Sequence, residues 1–381
     1  MPNPIKILIA PSAYKGSLSA GEIAAAISQG ISDQVSGAQI ESLPLADGGD
    51  GTIESLHSSL GGNIEKMSVQ GPLGTPVTAN WLFLPDKIII ELAQCCGLAM
   101  LQGERLQPLL AHTYGLGQVI SYCLSHSRKK IIIGLGGSAS TDGGTAALAA
   151  LGVKFLDNNQ KQLSFGGGFL TKLHSIDLSN LDTRLEQAEI EILTDVHSPL
   201  LGAKGAAAVF APQKGATSEE IKILEGGLTQ LANVVQTTTN RDLRDVPGTG
   251  AAGGTAFGLA SLLKANMLPG FKTIAGLIKL QNKIELSDLV ITAEGKLDYQ
   301  SMRGKATGEL AQMCKILNKP LFVLPALVED NIDWRSSGIK AIFTTAPATE
   351  LAKSEDVIMA AQKLAIEYIG KDGIFRNTKW K

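Results

Sequence analysis

Cysteine is scarce in this 381-residue chain: Cys95, Cys96, Cys123 and Cys314 are all there is. None of them are spaced as C-x-x-C, so neither a disulfide framework nor a paired-thiol metal or redox site is encoded. The five histidines show no H-E-x-x-H spacing, which argues against a zinc hydrolase, and no G-x-S-x-G elbow marks a serine hydrolase. Neither sign of charge dominates, with 34 Lys and Arg against 36 Asp and Glu. No basic run exceeds Arg128-Lys129-Lys130, and a nucleic-acid partner is therefore not expected. Apolar runs fall short of the roughly 20 residues that a membrane span needs, and no charged region followed by an apolar core precedes the first strand. These absences predict a soluble, cytoplasmic protein with reduced thiols and no membrane partner.

Glycine, by contrast, is abundant, at 42 residues. Many glycines cluster where apolar runs end, which points to function more than to flexibility. The richest cluster follows Ile131-Ile132-Ile133 and reads Gly134-Leu135-Gly136-Gly137-Ser138-Ala139-Ser140-Thr141-Asp142-Gly143-Gly144, ahead of a small-residue helix from Thr145 to Leu151. Glycines let backbone approach a ligand, and N–H groups at a helix start favour anions. The loop fits neither G-x-x-x-x-G-K-[ST] nor G-x-G-x-x-G, which disfavours a dinucleotide-dependent oxidoreductase. A crowded strand-to-helix turn is the alternative reading.

Three other segments share the plan of strand, loop of small and charged residues, then helix. The first is Ile5–Ala10 with Lys15-Gly16; its helix opens with capping-box residues Ser19 and Glu22 and buries Ile23, Ile27 and Ile31. The second takes Leu43–Ala46 as the strand before Asp47-Gly48-Gly49-Asp50-Gly51-Thr52. The third runs Asp288–Thr292, then Glu294 to Asp298, then a helix from about Ala306. Such alternation predicts an α/β protein with mostly parallel sheet, in which ligands gather beyond the carboxyl ends of strands. Between Gly62 and Pro85 turn signals separate short β-like runs, read as a smaller mixed sheet. The length favours two domains.

Carboxylates at these strand ends are the candidates for chemistry: Asp47, Asp50, Asp142, Asp195, Glu294 and Asp298. Phosphoryl transfer uses such groups to hold Mg²⁺ and to orient or deprotonate a hydroxyl. Asp142 and Asp50 equally suit helix caps. Lys15, Lys214 and Lys305 lie beside glycine, where a lysine can balance phosphate charge, although a solvated loop charge is the more common outcome. The loop Gly248–Gly254 is a second candidate anion site or a place of close helix packing.

The ordered segments APSAYKGSLSA (from Ala10), ADGGDGT (from Ala46), GPLG (from Gly71) and GLGGSASTDGG (from Gly134) resemble the bacterial type-1 glycerate kinases. So do TDVHSPLLG (from Thr194), APQKGAT (from Ala211), PGTGAAGG (from Pro247), LVITAEGKLD (from Leu289) and Gly304-Lys305. The resemblance implies two α/β domains, one Rossmann-like with mostly parallel sheet and discontinuous, one smaller and mixed, with the active site in the cleft between them. The expected division is 1–61 with 285–381 against 62–284, the 131–152 segment belonging to either. The implied reaction is ATP-dependent phosphorylation of D-glycerate to 2-phosphoglycerate, with Mg²⁺. Asp195 and Lys15 are then the catalytic candidates. Gly136, Gly137, Ser138, Gly143, Gly144 and Lys305 would bind ATP, Asp47, Gly48, Gly49 and Ser198 the substrate, and Glu294 with Asp298 the metal. The chain departs from the family pattern at Ser12, Leu106, His112, Thr141, Ser198 and Ala293. These departures leave open a diverged relative that binds or phosphorylates another small hydroxy acid, with weak or no glycerate kinase activity, and the oligomeric state, homo-oligomers included, is also open.

Overall fold

A computed structural model of the chain describes residues 4–126, 130–299, 301, 306–330, 333–345 and 351–370. In chain order it begins with β1 (Lys6–Ile9), α1 (Ala20–Ser32), β2 (Gln39–Ser42) and α2 (Thr52–Leu60). Next come β3 (Asn63–Gln70), β4 (Pro76–Phe83), β5 (Lys87–Glu91), α3 (Ala93–Cys96), α4 (Tyr114–Cys123), β6 (Lys130–Gly134) and α5 (Thr145–Ala150). The middle holds β7 (Lys154–Leu156), β8 (Ser175–Asp177), β9 (Glu189–Leu193), α6 (Ala206–Phe210), α7 (Ser218–Thr239) and α8 (Ala251–Leu262). The chain continues through β10 (Asn266–Leu268), α9 (Gly270–Leu277), α10 (Leu280–Leu286), β11 (Leu289–Leu297), α11 (Ala306–Ile316), β12 (Leu321–Val328), β13 (Ile339–Ile342) and α12 (Ser354–Leu364). This is the expected mixed α/β fold.

The chain divides into two compact units. The first contains the stretch up to Asp47, Glu54–Leu60, and everything from Phe271 on; the second contains Gly48–Ile53 and Gly61–Gly270. The 131–152 segment therefore lies in the second unit.

The first unit is built on a five-stranded sheet of order β13-β12-β11-β1-β2, parallel throughout. Its inner strands β1, β11 and β12 are apolar on both faces, as helices on either side of a parallel sheet require. Ile7, Ile9, Leu289, Ile291, Phe322 and Leu324 form the core with α1 and α12. Helix α1 starts at the Ser19–Glu22 capping box and buries Ile23, Ile27 and Ile31. Chain direction across the sheet reverses between β1 and β11, the kind of switch point beside which α/β proteins bind ligands.

The second unit is built on a six-stranded sheet, β10-β9-β6-β5-β4-β3, with β10, β9, β6 and β5 parallel and β4 and β3 antiparallel. The smaller mixed sheet expected around residues 62–85 is part of this larger one: β3, β4 and β5 extend the sheet that carries the 131–144 segment. Two further boundaries move. The strand before Asp47 is Gln39–Ser42, not Leu43–Ala46. Leu43–Ala46 is buried but irregular, with Pro44 unable to donate to a sheet ladder. Strand β11 runs on to Leu297, so Glu294 lies within it and not in a following loop.

The 134–144 loop owes its glycines to contact between backbones. A Cβ on Gly134 would stand 2.4 Å from the Gly48 carbonyl oxygen, and one on Gly136 would stand 2.3 Å from Gly49 Cα. The Gly136 N–H donates to the Gly48 carbonyl at 3.1 Å. Further along, the Gly143 N–H donates to Gly253 at 3.0 Å, and a Cβ on Gly258 would meet the Gly143 oxygen at 2.1 Å. The letters of Gly248–Gly253 spell G-x-G-x-x-G, but no strand leads into them, and Ala252, Gly253 and Gly254 kink the start of α8 with left-handed φ. Close packing, not a dinucleotide turn, explains that loop.

Gly136→Ala should lower unfolding free energy by roughly 1–3 kcal/mol or more, because neither backbone at the contact can yield easily. Gly276→Ala, on an exposed α9 position with nothing within 4 Å of the added carbon, should gain roughly 0.5–1 kcal/mol. Urea unfolding of both variants checks the pair.

Candidate functional site

In the first unit the loops after β1, β2 and β11 leave adjacent parallel strands at one end of the sheet. They are tied together there: Ser12 N–H donates to Ala293 O at 2.8 Å and Leu45 N–H to Pro11 O at 2.8 Å. This end brings Ser12, Lys15, Asp47, Glu294 and Asp298 onto three neighbouring loops and strand ends. Lys15 is exposed at the tip of a turn closed by Tyr14 and Leu18, with Gly16 at φ 79°. The Tyr14 hydroxyl anchors that turn by donating to Leu324 O at 2.7 Å, and burial pushes its ionisation far above the ordinary range. Asp298 is half-buried and accepts from the Ser301 N–H at 2.8 Å and its hydroxyl at 3.1 Å. Glu294, also half-buried, lies in β11 four residues before it.

In the second unit β5, β6, β9 and β10 present their carboxyl ends together. Asp195 follows β9, is half-buried, and accepts the Gly270 N–H through Oδ1 at 2.9 Å. Gly270 itself follows β10, which pairs with β9. Ser198 is fixed through its carbonyl, which accepts from Gly248 at 3.1 Å and Gly250 at 3.0 Å. Gly48, Gly49 and Asp50 lie on the glycine loop, and the Asp50 Oδ1 fills the space 2.5 Å from where a Gly137 Cβ would be.

The glycine loop itself is mostly sealed. Gly136 is half-buried and Gly137 exposed, whereas Ser138 through Thr145 are buried. Gly143 spends its N–H on Gly253, and Gly144 spends its own on Asp142 Oδ1 at 3.1 Å. The part of the loop within reach of solvent is thus Gly136–Gly137, with the Gly136 N–H itself spent on Gly48, while Gly143 and Gly144 pack. Asp142 is fully buried and acts as the cap considered for it: Oδ2 accepts from Thr113 N at 3.0 Å, Thr113 Oγ1 at 2.8 Å and Ala146 N at 3.3 Å. Of the predicted site residues, Lys305 lies outside the described residues.

Two groups were hidden from the sequence reading. Lys214, read as a solvated loop charge, is 3% exposed and donates its ammonium to the Ser140 carbonyl. Desolvation pulls it down to about 8 against the opposing pull of Asp142 and the Cys96 thiol. Glu91, lost within the apolar run Ile88–Leu92, is 2% exposed at the end of β5. A single carboxylate at the end of an isoleucine run was the available signal, since such a residue is almost never buried without a purpose. His112 is also buried; burial lowers its pKa, its Nδ1 accepts from Tyr114 N at 3.3 Å and its ring meets Phe165 edge-on.

Comparison with known proteins gives one consistent picture. A model of the glycerate kinase family matches residues 7–370. The chain is 38% identical over 346 residues to a glycerate kinase of Bacillus subtilis, covering 90% of this chain and 91% of that protein. It is 39% identical over 343 residues to a glycerate 2-kinase of Escherichia coli K12, covering 89% and 90%. A crystal structure provisionally named glycerate kinase 2, from Salmonella typhimurium LT2, superposes with a TM-score of 0.82 at 37% identity, covering 96% of this chain and 98% of that one.

The buried ammonium has a pH signature. With Lys214 at about 8 in the fold, the unfolded chain binds the proton better between about 8 and the ordinary 10.5, so this group's contribution to stability rises with pH there. The four buried thiols, all raised by desolvation, act in the opposite sense above pH 9. The readout is therefore a difference: the stability of the parent protein relative to Lys214→Met should rise by roughly 1 kcal/mol per pH unit from 8 to 10. A constant difference in urea unfolding across that range would contradict the assignment.

Proposed function

The chain belongs to the glycerate kinase family, and on that premise we propose that it transfers the γ-phosphoryl group of ATP to the carbon-2 hydroxyl of D-glycerate. The hydroxyl oxygen bonds to the γ-phosphorus as the bond to the β-phosphate bridge oxygen breaks. ADP departs, and the hydroxyl proton passes to a carboxylate. Asp195 is the group we assign to that proton. The observation that carries the assignment is its half-buried carboxylate, held by the Gly270 N–H at the same sheet end as the accessible Gly136–Gly137 strip. Fixing the carboxylate's orientation before substrate arrives is how a general base gains efficiency.

Gly136 and Gly137 would lie along the phosphates, and Gly48 with Gly49 would border the substrate. Asp47 and Ser198 would meet the acid or its hydroxyls. Lys15, exposed on its turn, is suited to balance phosphate charge, a role in which Lys305 is proposed to join it. Among the described residues no three His, Cys, Asp or Glu side chains gather as a metal-holding group. That fits Mg²⁺ carried on nucleotide phosphates, which needs only one or two protein carboxylates. Glu294 and Asp298 are the proposed pair; the bound ion would neutralise charge on the transferring group. The described residues contain no helix long and apolar enough to cross a membrane, and all four cysteines are free thiols, which supports a cytoplasmic setting.

Leu106 supports a second reading. It packs with Leu73, Leu98, Leu101, Ala111 and Ala139 as an apolar cluster that includes one residue of the glycine loop. An apolar lining there would suit a small hydroxy acid bulkier than glycerate.

A coupled assay with MgATP should show D-glycerate-dependent ADP formation and 2-phosphoglycerate as product. ADP formation with a bulkier 2-hydroxy acid and none with D-glycerate would favour the second reading. Asp195→Asn should lower kcat by about 10²- to 10⁴-fold with an unchanged melting temperature; near-normal turnover removes Asp195 from the proton transfer.

A further inference from the structure

Glu91 closes β5 opposite Gly134 on β6, so it stands beside the residue where the glycine loop begins. Its Oε1 accepts the Ile53 N–H at 2.5 Å, and the Gln94 amide donates to Oε2 at 3.4 Å. The segment 48–53 is thereby held at both ends: Gly48 by the Gly136 N–H, Ile53 by Glu91. Between those fastenings lies Asp50, whose carboxylate overlies Gly137. Among the described residues no lysine or arginine pairs with Glu91. A buried carboxylate left in that state is costly, and its return is the set of backbone N–H groups at the start of α2, which favour negative charge.

We propose that Glu91 is a positioning residue for phosphoryl transfer: its carboxylate clamps the start of α2 and so sets Gly48–Asp50 against Gly134–Gly137, the clamp tightening when the carboxylate is ionised. The kinetic part of the proposal rests on the glycerate kinase reading; the clamp does not. Ionisation strengthens the clamp because an N–H bonded to a carboxylate is held more tightly than one bonded to a neutral acid. Burial pushes the Glu91 carboxyl up to about 7, and the negative charge of Asp50 adds to the rise, while the N–H groups of Ile53 and Gly51 and the Gln94 amide oppose it. The clamp therefore changes state in the neutral range. Among the described residues, the titratable groups facing Glu91 are Asp50, ahead of α2, and the Cys95 thiol on α3. β4 reaches it only through uncharged Asn80 by way of Gln94, and β6 through Gly134, which has no side chain.

Two measurements on the full chain test this. The first is kcat/KM for MgATP and glycerate between pH 5.5 and 9, for the parent protein and Glu91→Gln. The parent should gain activity through an inflection near pH 7. Glu91→Gln should lack that inflection and fall about five- to tenfold below the parent at pH 8, the loss expected when one charge-assisted hydrogen bond becomes neutral. An inflection retained in Glu91→Gln overturns the proposal. The second measurement needs neither a variant nor activity: hydrogen exchange of the amides of 49–53 in the parent protein, corrected for intrinsic rates. Protection there should rise from pH 6 to pH 8, and equal protection at both overturns the clamp. Absence of any glycerate-dependent turnover in the parent would strike the kinase reading alone, leaving exchange to decide on Glu91.

Discussion

The contact of one glycine backbone upon another, Gly48–Gly49 against Gly134–Gly136, is the constraint on which the rest of the carboxyl strand end of the second unit depends. At that contact an added methyl would fall 2.3–2.4 Å from main-chain atoms. The approach buries Gly48 and Gly134, and Ser138 through Thr145 beyond it are buried as well, so every N–H and C=O enclosed there needs a partner within the protein. The loop meets that demand in succession: Gly136 donates to Gly48, Ala139 to Cys96, Ser140 to the Ser138 hydroxyl, Gly143 to Gly253 and Gly144 to Asp142. A loop with its donors so committed is rigid. It is also sparing, leaving only Gly136 and Gly137 within reach of solvent.

Sealing the loop forces charges into its surroundings, and three of them are resolved in three ways. Asp142 collects N–H and hydroxyl donors from Thr113, Gly144 and Ala146, as a carboxylate at a helix start can. Lys214 has a carbonyl to donate to and two groups of opposite charge tendency nearby, yet desolvation still prevails over them. Glu91 sits between these cases, with the Ile53 N–H on one oxygen and a long amide contact on the other. Burial without full compensation moves titration toward neutrality. The shifts of Glu91 and Lys214 toward neutrality thus follow from how tightly the surroundings of that loop are packed.

This bears on what the sequence could disclose. Strand positions β5, β6 and β9 were legible because isoleucine-rich runs end in glycine or acid, and β1 because its apolar run stops at Pro11. The capping box before α1 was legible because it is entirely local. Asp195 stood out as an acid directly beyond such a run. Strand β2 was not legible: Gln39–Ser42 is mostly exposed at a sheet edge and carries no apolar alternation, while the buried Leu43–Ala46 beside it carries a strand's composition without a strand's ladder. Lys214 was illegible for a different reason. A lysine beside glycine looks the same whether its neighbours in space are water or the Ser140 carbonyl, and only tertiary packing separates the two.

Glycine-rich loops are commonly read as anion cradles, and here the two uses of glycine divide along the same eleven residues. A cradle needs accessible N–H groups, whereas a packing contact consumes both the access and the N–H. Gly143 and Gly144 have left-handed φ of 63° and 74°, as a cradle's glycines often do, but both are buried with their donors committed. Gly137 also has a left-handed φ, at 75°, and is exposed. Conformation therefore does not distinguish the two classes, and burial does. Reading such a loop from sequence overstates its binding surface whenever a second glycine segment elsewhere in the chain is available to pack against it, as Gly48-Gly49 and Gly253-Gly254 are here.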